Sequence, residues 1–347
     1  MNNISPSPSN SNINNLFNNN FNISICILRL SAIGDICMSL PAINAIKAKY
    51  PQAKITWIIG KNEAKLYGDI KDIEFIIFDK KNSLKELFKL KRILKNRYFD
   101  ILLHMQPTLR ANIISLVIKA KLKLGFHKDN AKEYQHIFTN VRLNKLENYH
   151  YLDGFLEFAK YLGCDDIRFK YDIPLSKADI QFATNNIKQK TIVINACSSP
   201  SFIYRNWRAD KFAKLIDKCI KDFDYKIVLV GGNSDIEKDM AKQIVRLSNY
   251  KIKNLVAKTT LKQLLALIKK AQLVLSVDSA PVHLAEAVNT KIIGLYAATN
   301  PNQTGPYKNK DMCINHYPKN LKWGTRLKTN IMHTIEVDEV ITKISKI

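Results

Sequence analysis

The chain has 347 residues, more than one hydrophobic core comfortably holds and about right for two domains. Its 54 Lys and Arg against 30 Asp and Glu give a formal net charge of +24, a balance that favours polyanionic partners: nucleic acid, an anionic membrane or phosphorylated substrates. A hydrophobic fraction of 46% fits a globular protein, no apolar run approaches the roughly 18 residues that span a bilayer, and six cysteines without metal-finger or redox spacing imply reduced thiols in a cytoplasmic protein.

Residues 1–21 are rich in Asn, Ser and Pro, lack the basic start and apolar stretch of a signal peptide, and read as a disordered extension. Strands are then predicted over 23–30, 54–59, 74–78 and 99–104. Past a polar connector around 172–188, further strands are predicted over 191–196, 226–231, 253–257, 273–277 and 291–296. Helical periodicity fills the gaps at 40–50, 83–96, 148–163, 210–223, 235–248 and 260–271. Strands alternating with helices imply parallel sheets, so the expected class is α/β, two Rossmann-like domains facing across a cleft. The domain expectation is 22–175 and 176–333, with 334–347 a terminal helix that packs back on the body.

The dinucleotide fingerprint is absent, since SAIGD has one glycine where three are expected, and there is no Walker A sequence. The D-x-D spacing of Asp222 and Asp224 falls in a helix-to-strand loop and reads as solvated; no cluster has metal-ligand spacing. Two strand-to-turn segments carry acids where open α/β sheets bind ligands. In ICILRLSAIGDICMSLP, Asp35 is either a helix N-cap or a general base. In LVLSVDSAPVHLAEA, Asp278 and Ser279 cap a helix whose amides, with Ala280 and nearby His283, suit a phosphate.

Between them, NACSSPSFIYRNWRADKF places Ser198 and Ser199 at a strand end, followed in a polar, mobile loop by Arg205, suited to a diphosphate, and Trp207, which either belongs to that loop's function or simply anchors it in the core. VGGNSDIE offers a turn at Gly231 and Gly232, then Asp235 and Glu237, either of which suits a ribose hydroxyl. The segment DKKNSLKELFKLKRILKNR sets Lys80, Lys81 and further cations beside an apolar stripe of Leu84, Leu87, Phe88 and Leu94. With Lys119, Lys121, Lys123, Lys128 and Lys132 downstream, this basic excess suits a polyanionic acceptor at a membrane surface.

LRLSAIGDICMSLPAINAIK, VGGNSDIE and VDSAPVHLAEAV with GLYAATNPNQTGPY together resemble glycosyltransferase family 9, the ADP-heptose:lipopolysaccharide heptosyltransferases, over nearly all of residues 22–330. LRLSAIGD, HMQPTLRAN and LGFHKDNAKEYQHIFTN look most like the branch that adds the first heptose to the inner-core Kdo. The resemblance implies a GT-B fold and a metal-free inverting transfer from ADP-heptose to Kdo–lipid A at the inner face of the cytoplasmic membrane. It makes Asp35 the catalytic base, with Arg205 assisting where the family usually has Lys. It maps the nucleotide sugar onto Asp278, Ser279, Ala280 and His283, with Ala280 standing where Gly is frequent, and the ribose onto Glu237 or Asp235; Ser198, Ser199 and Gly232, read from their strand ends, complete the expected site. The anionic acceptor falls to Lys80, Lys81, Arg110 and Lys132.

Three rivals stand beside this reading: a nucleotide-sugar epimerase of the same architecture, a relative that acts at a later core step or transfers another sugar, and a nucleic-acid-binding protein suggested by charge. Against the last, no recognised module is present and aromatics are not interleaved with the basic run, so no nucleic-acid partner is expected.

Overall fold

Short, almost wholly apolar segments such as SICIL and LVLSV are buried along their length, as strands covered on both faces must be. The computed structural model describes residues 23–188 and 190–347; the extension expected at 1–21 lies outside the described residues. The chain divides into two units, with the boundary between Pro174 and Leu175.

The first unit runs β1 (Ser24–Leu28), α1 (Ile33–Lys49), β2 (Lys54–Gly60), α2 (Lys61–Tyr67), β3 (Ile73–Phe78), α3 (Ser83–Ile93), β4 (Phe99–His104), α4 (Leu109–Leu116), β5 (Ala120–Gly125), β6 (Val141–Arg142) and α5 (Tyr151–Tyr161). The strands form one parallel sheet in the order β3-β2-β1-β4-β5-β6. The order reverses between β1 and β4, the crevice where such sheets take ligands. Cys26, Leu28, Ile76, Phe78 and Leu102 from the sheet share a core cluster with Leu90 and Leu94 beside α3 and with Ala111 and Ile114 of α4. Those two helices therefore cover the same sheet face, while α1 packs with α5.

The second unit runs α6 (Lys177–Asn186), β7 (Thr191–Asn195), α7 (Ala209–Phe223), β8 (Lys226–Val230), α8 (Asp235–Leu247), β9 (Lys253–Asn254), α9 (Leu261–Lys270), β10 (Leu273–Val277), α10 (Ala280–Ala287), β11 (Lys291–Tyr296), α11 (Pro301–Thr304), β12 (Cys313–Asn315) and α12 (Val337–Ile344). Its parallel order is β12-β11-β10-β7-β8-β9, and the reversal lies between β7 and β10. Val340 and Ile344 place α12 in the core beside α7.

Four expectations are corrected. The connector at 172–188 contains α6, closed by a capping box between Ser176 and Asp179 and packed on α9. The strand expected over 253–257 stops at Asn254, because the chain turns through Ala257 at a φ of 62°. The segment AKLKLG forms β5, in which Lys123 is no free surface cation: its ammonium donates to the Ser115 carbonyl at 2.8 Å, and burial lowers its pKa. Of the expected apolar stripe, Leu94 is buried just past α3 and Leu87 is partly buried, whereas Leu84 and Phe88 face solvent and Leu90 takes the buried place in the helix.

Gly60 ends β2 against the carbonyl of Leu30, to which its own N–H donates at 3.1 Å. A Cβ there would lie 2.3 Å from that backbone oxygen, which cannot swing aside as a side chain does. Gly60→Ala is expected to destabilise the protein by about 1–3 kcal/mol, read as a lower midpoint in urea with an unchanged slope.

Candidate active site

Asp35 is held on one oxygen. The Arg29 guanidinium, entering from the end of β1, donates to Asp35 Oδ2 at 2.5 Å and to the Met105 carbonyl beyond β4 at 2.6 Å. The Arg29 side chain is 7% exposed, lies over the Phe155 ring at 5.0 Å, and has its pKa lowered by burial, an effect the facing Asp35 opposes. The Ala32 N–H also donates to Oδ2, at 3.3 Å. Ala32 is thus the helix N-cap, and Asp35, expected as a possible cap, is the third helical residue reaching back. Both hydrogen bonds use Oδ2, which leaves Oδ1 without a protein partner among the described residues on a carboxylate 36% exposed.

Gln106 stiffens this turn from the other side of the switch point, its Oε1 accepting from the Leu30 and Ser31 amides at 2.6 and 3.1 Å. Neither Arg29 nor Gln106 was singled out from the sequence. The signal for Arg29 was there: a lone cation closing a buried apolar strand has to be paired.

In the second unit, Arg205 and Asp278 meet. Arg205 Nη1 lies 3.0 Å from Asp278 Oδ2, with side-chain exposures of 12% and 6%. The Thr299 hydroxyl donates to the same oxygen at 2.7 Å, and the guanidinium stacks on Phe202 at 4.3 Å. This corrects two expectations. Asp278 caps nothing, because its carboxylate neutralises Arg205; and Arg205 is fixed by an ion pair and a ring rather than carried on a free polar loop. The following Trp207 is buried, donates to the Ile335 carbonyl at 3.1 Å and packs edge-on against Phe212, so the segment is anchored at both residues.

Ser279 occupies the N-cap of α10 without capping it. Its hydroxyl instead joins Asn195 Nδ2 and Ser276 Oγ, each at 2.9 Å, tying β7 to β10 across the switch point. Pro281 has no N–H, and the Val282 amide is spent on the Ser279 carbonyl at 3.1 Å. The amides of Ser279 and Ala280 remain without a protein acceptor among the described residues, a narrower anion cradle than a full helix end. His283 is buried at 6% exposure.

Ser198 is also committed locally: its hydroxyl donates to the Phe202 carbonyl at 2.5 Å and its amide to Asn206 Oδ1 at 2.8 Å. Ser199 is exposed. Glu237 closes the Gly231–Ser234 turn, accepting from the Gly232 amide at 2.6 Å and the Ser234 hydroxyl at 2.6 Å, whereas Asp235 is an exposed acid near Lys238. Beside this turn Ala196, Cys197, Gly231, Glu237 and Val256 line a void of about 10 Å³, room for a single water. The six cysteines are free thiols, and burial pushes Cys197 up to about 12.

Of the acceptor candidates, Lys80 is already paired, its ammonium 2.8 Å from Oε1 of Glu63, whose side chain is 7% exposed. Lys81, Arg110 and Lys132 are exposed. The Glu133 carboxylate accepts from the Leu109 amide, and Asn112 Nδ2 donates to the Glu133 carbonyl at 2.7 Å. These bonds tie the Lys132 loop to the start of α4, where Arg110 stands.

Residues 87–330 match the family model described as glycosyltransferase family 9 (heptosyltransferase). The chain is 38% identical over 338 residues to the lipopolysaccharide core heptosyltransferase OpsX of Haemophilus influenzae, covering 93% of this chain and 96% of that one. This protein belongs to glycosyltransferase family 9. As a family 9 glycosyltransferase it has the GT-B class of fold. A family 9 glycosyl transferase from Veillonella parvula superposes with a TM-score of 0.77 at 21% identity, covering 93% of this chain and 96% of that one. Escherichia coli heptosyltransferase WaaC with ADP superposes at 0.72 and 19% identity, covering 93% and 99%. Among the described residues, no group of three or more His, Cys, Asp or Glu side chains is arranged to hold a metal ion.

Proposed function

We propose that this family 9 glycosyltransferase moves a heptose from ADP-heptose to the Kdo of Kdo–lipid A, with inversion at the anomeric carbon. The relative OpsX is a lipopolysaccharide core heptosyltransferase by name, and its 38% identity spans nearly the whole chain. The observation that carries the mechanism is the Asp35 carboxylate, clamped through Oδ2 by Arg29 and open at Oδ1, at the switch point of the first sheet.

In this reading Oδ1 accepts the proton of the acceptor hydroxyl as the hydroxyl oxygen attacks the anomeric carbon. The bond from that carbon to the β-phosphate oxygen breaks, and ADP leaves from the opposite face. The departing diphosphate is met by the Ser279 and Ala280 amides and by Arg205, whose buried Nε–H has no acceptor among the described residues. Glu237 or Asp235, at the turn after β8, takes the ribose. Lys81, Arg110 and Lys132 face the acceptor's negative charges, and Lys80 acts through Glu63.

The test is the product. Purified protein, ADP-heptose and Kdo–lipid A are expected to yield a lipid heavier by one heptosyl unit, its anomeric configuration opposite to that of the donor by NMR. Retained configuration would remove Asp35 from the role of base, and heptosylation only of an already heptosylated core would move the enzyme to a later step.

A further inference from the structure

The segment PKNLKWGTRLKTN, residues 318–330, carries Lys319, Lys322, Arg326 and Lys328 and no acid. Such a run is ordinarily a solvated basic loop. Arg326 is placed differently. Its guanidinium lies over the Phe202 ring, 5.8 Å from the centroid, and Phe202 is the ring that Arg205 covers at 4.3 Å. Two guanidiniums brought to one ring set like charges close together, an arrangement that a bound polyanion favours.

The backbone on either side of Arg326 is tied down. The Leu327 N–H donates to the Ala298 carbonyl at 2.9 Å, and the Thr325 carbonyl accepts from the Tyr317 hydroxyl at 3.0 Å. Ala298 precedes Thr299, whose hydroxyl donates to the Asp278 carboxylate that faces Arg205. Arg326 is thus an exposed side chain on a fixed backbone, held just past the end of β11.

Sheet order indicates which part of a ligand it meets. Neighbouring strands run β8, β7, β10, β11. Asp235 and Glu237 follow β8, Arg205 follows β7, Asp278 and Ser279 follow β10, and Arg326 is tied to the segment after β11. A nucleotide laid along the carboxyl edge of this sheet with its ribose at β8 points its far end, the terminal phosphate, toward β11.

We propose that Arg326 is a second cation for the donor's diphosphate, holding the β-phosphate together with Arg205, with Phe202 as their shared platform. The proposal rests on the nucleotide-sugar reading of the second unit and adds to it a residue from outside the strand-end turns. The planar fork of Arg matches two phosphate oxygens at once, which the point charge of Lys does not.

The experiment is isothermal titration of the full chain with ADP and with AMP, which lacks the β-phosphate. Arg326→Ala is expected to weaken ADP by about tenfold or more and AMP by no more than about twofold. Arg326→Lys is expected to fall between wild type and Arg326→Ala for ADP. Lys328→Ala, which removes an exposed cation two residues further on, is expected to bind both nucleotides as wild type. Because Arg326 is exposed, Arg326→Ala is expected to keep the wild-type melting temperature without ligand. Unchanged ADP affinity in Arg326→Ala, an equal loss for ADP and AMP, or the same loss in Lys328→Ala overturns the proposal and leaves the transfer reaction standing. A wild type that binds no ADP contradicts the nucleotide-sugar reading itself, and this proposal falls with it.

Discussion

Asp35→Asn is expected to lower heptose transfer by about 10²–10⁴-fold while leaving ADP-heptose affinity within about twofold of wild type. The amide has nearly the shape of the carboxylate and still accepts from Arg29 and the Ala32 amide through its oxygen. It cannot take the acceptor's proton as the new bond forms. A loss confined to kcat is the signature of a group needed in the transition state rather than for binding. Isothermal titration with ADP-heptose and initial rates with saturating acceptor separate the two. Near wild-type rates in Asp35→Asn would reduce the residue to a helix-turn ligand.

Arg205→Met is expected to cost about 3–5 kcal/mol of stability, because it strands the Asp278 carboxylate at 6% exposure with only the Thr299 hydroxyl beside it. For a unit the size of Leu175–Ile347, which holds the pair, that lowers the melting temperature by roughly 6–20 °C. Arg205→Met/Asp278→Asn is expected to recover most of the stability, since no unpaired charge then remains. It is not expected to recover ADP binding, because in the proposed mechanism the guanidinium faces the diphosphate. Melting curves of both variants, with and without ADP, check this. Restored ADP binding in the double variant would make the pair purely structural.

The parallel sheets were legible because their strands are short apolar runs and their turns carry Gly, Asp and Ser. What was missed follows from competing signals. In β5, Lys121 and Lys123 outweighed Leu122 and Leu124, although the aliphatic stem of a strand lysine packs well and Lys123 finds a carbonyl. The helix α6 buries little beyond Ala183, so its pattern looked like a polar linker.

The site was legible as residues and illegible as pairs. Asp35, Arg205 and Asp278 each stood out, but that Arg29 would clamp Asp35 depends on a Met105 carbonyl 76 residues away. That Asp278 would neutralise Arg205 depends on how β10 lies beside β7. Such partners are set by sheet order, and local sequence carries no record of it. The same limit explains Leu84 and Phe88: their spacing fits a core stripe, and only the rotation of α3 on the sheet turns them outward.

The most direct measurement is ADP release from ADP-heptose by the purified wild-type protein, with and without Kdo–lipid A. Release that requires Kdo–lipid A and disappears in Asp35→Asn is the expected result. Equal release without any acceptor, or none with Kdo–lipid A in the presence of bound ADP-heptose, would contradict transfer to the Kdo of lipid A.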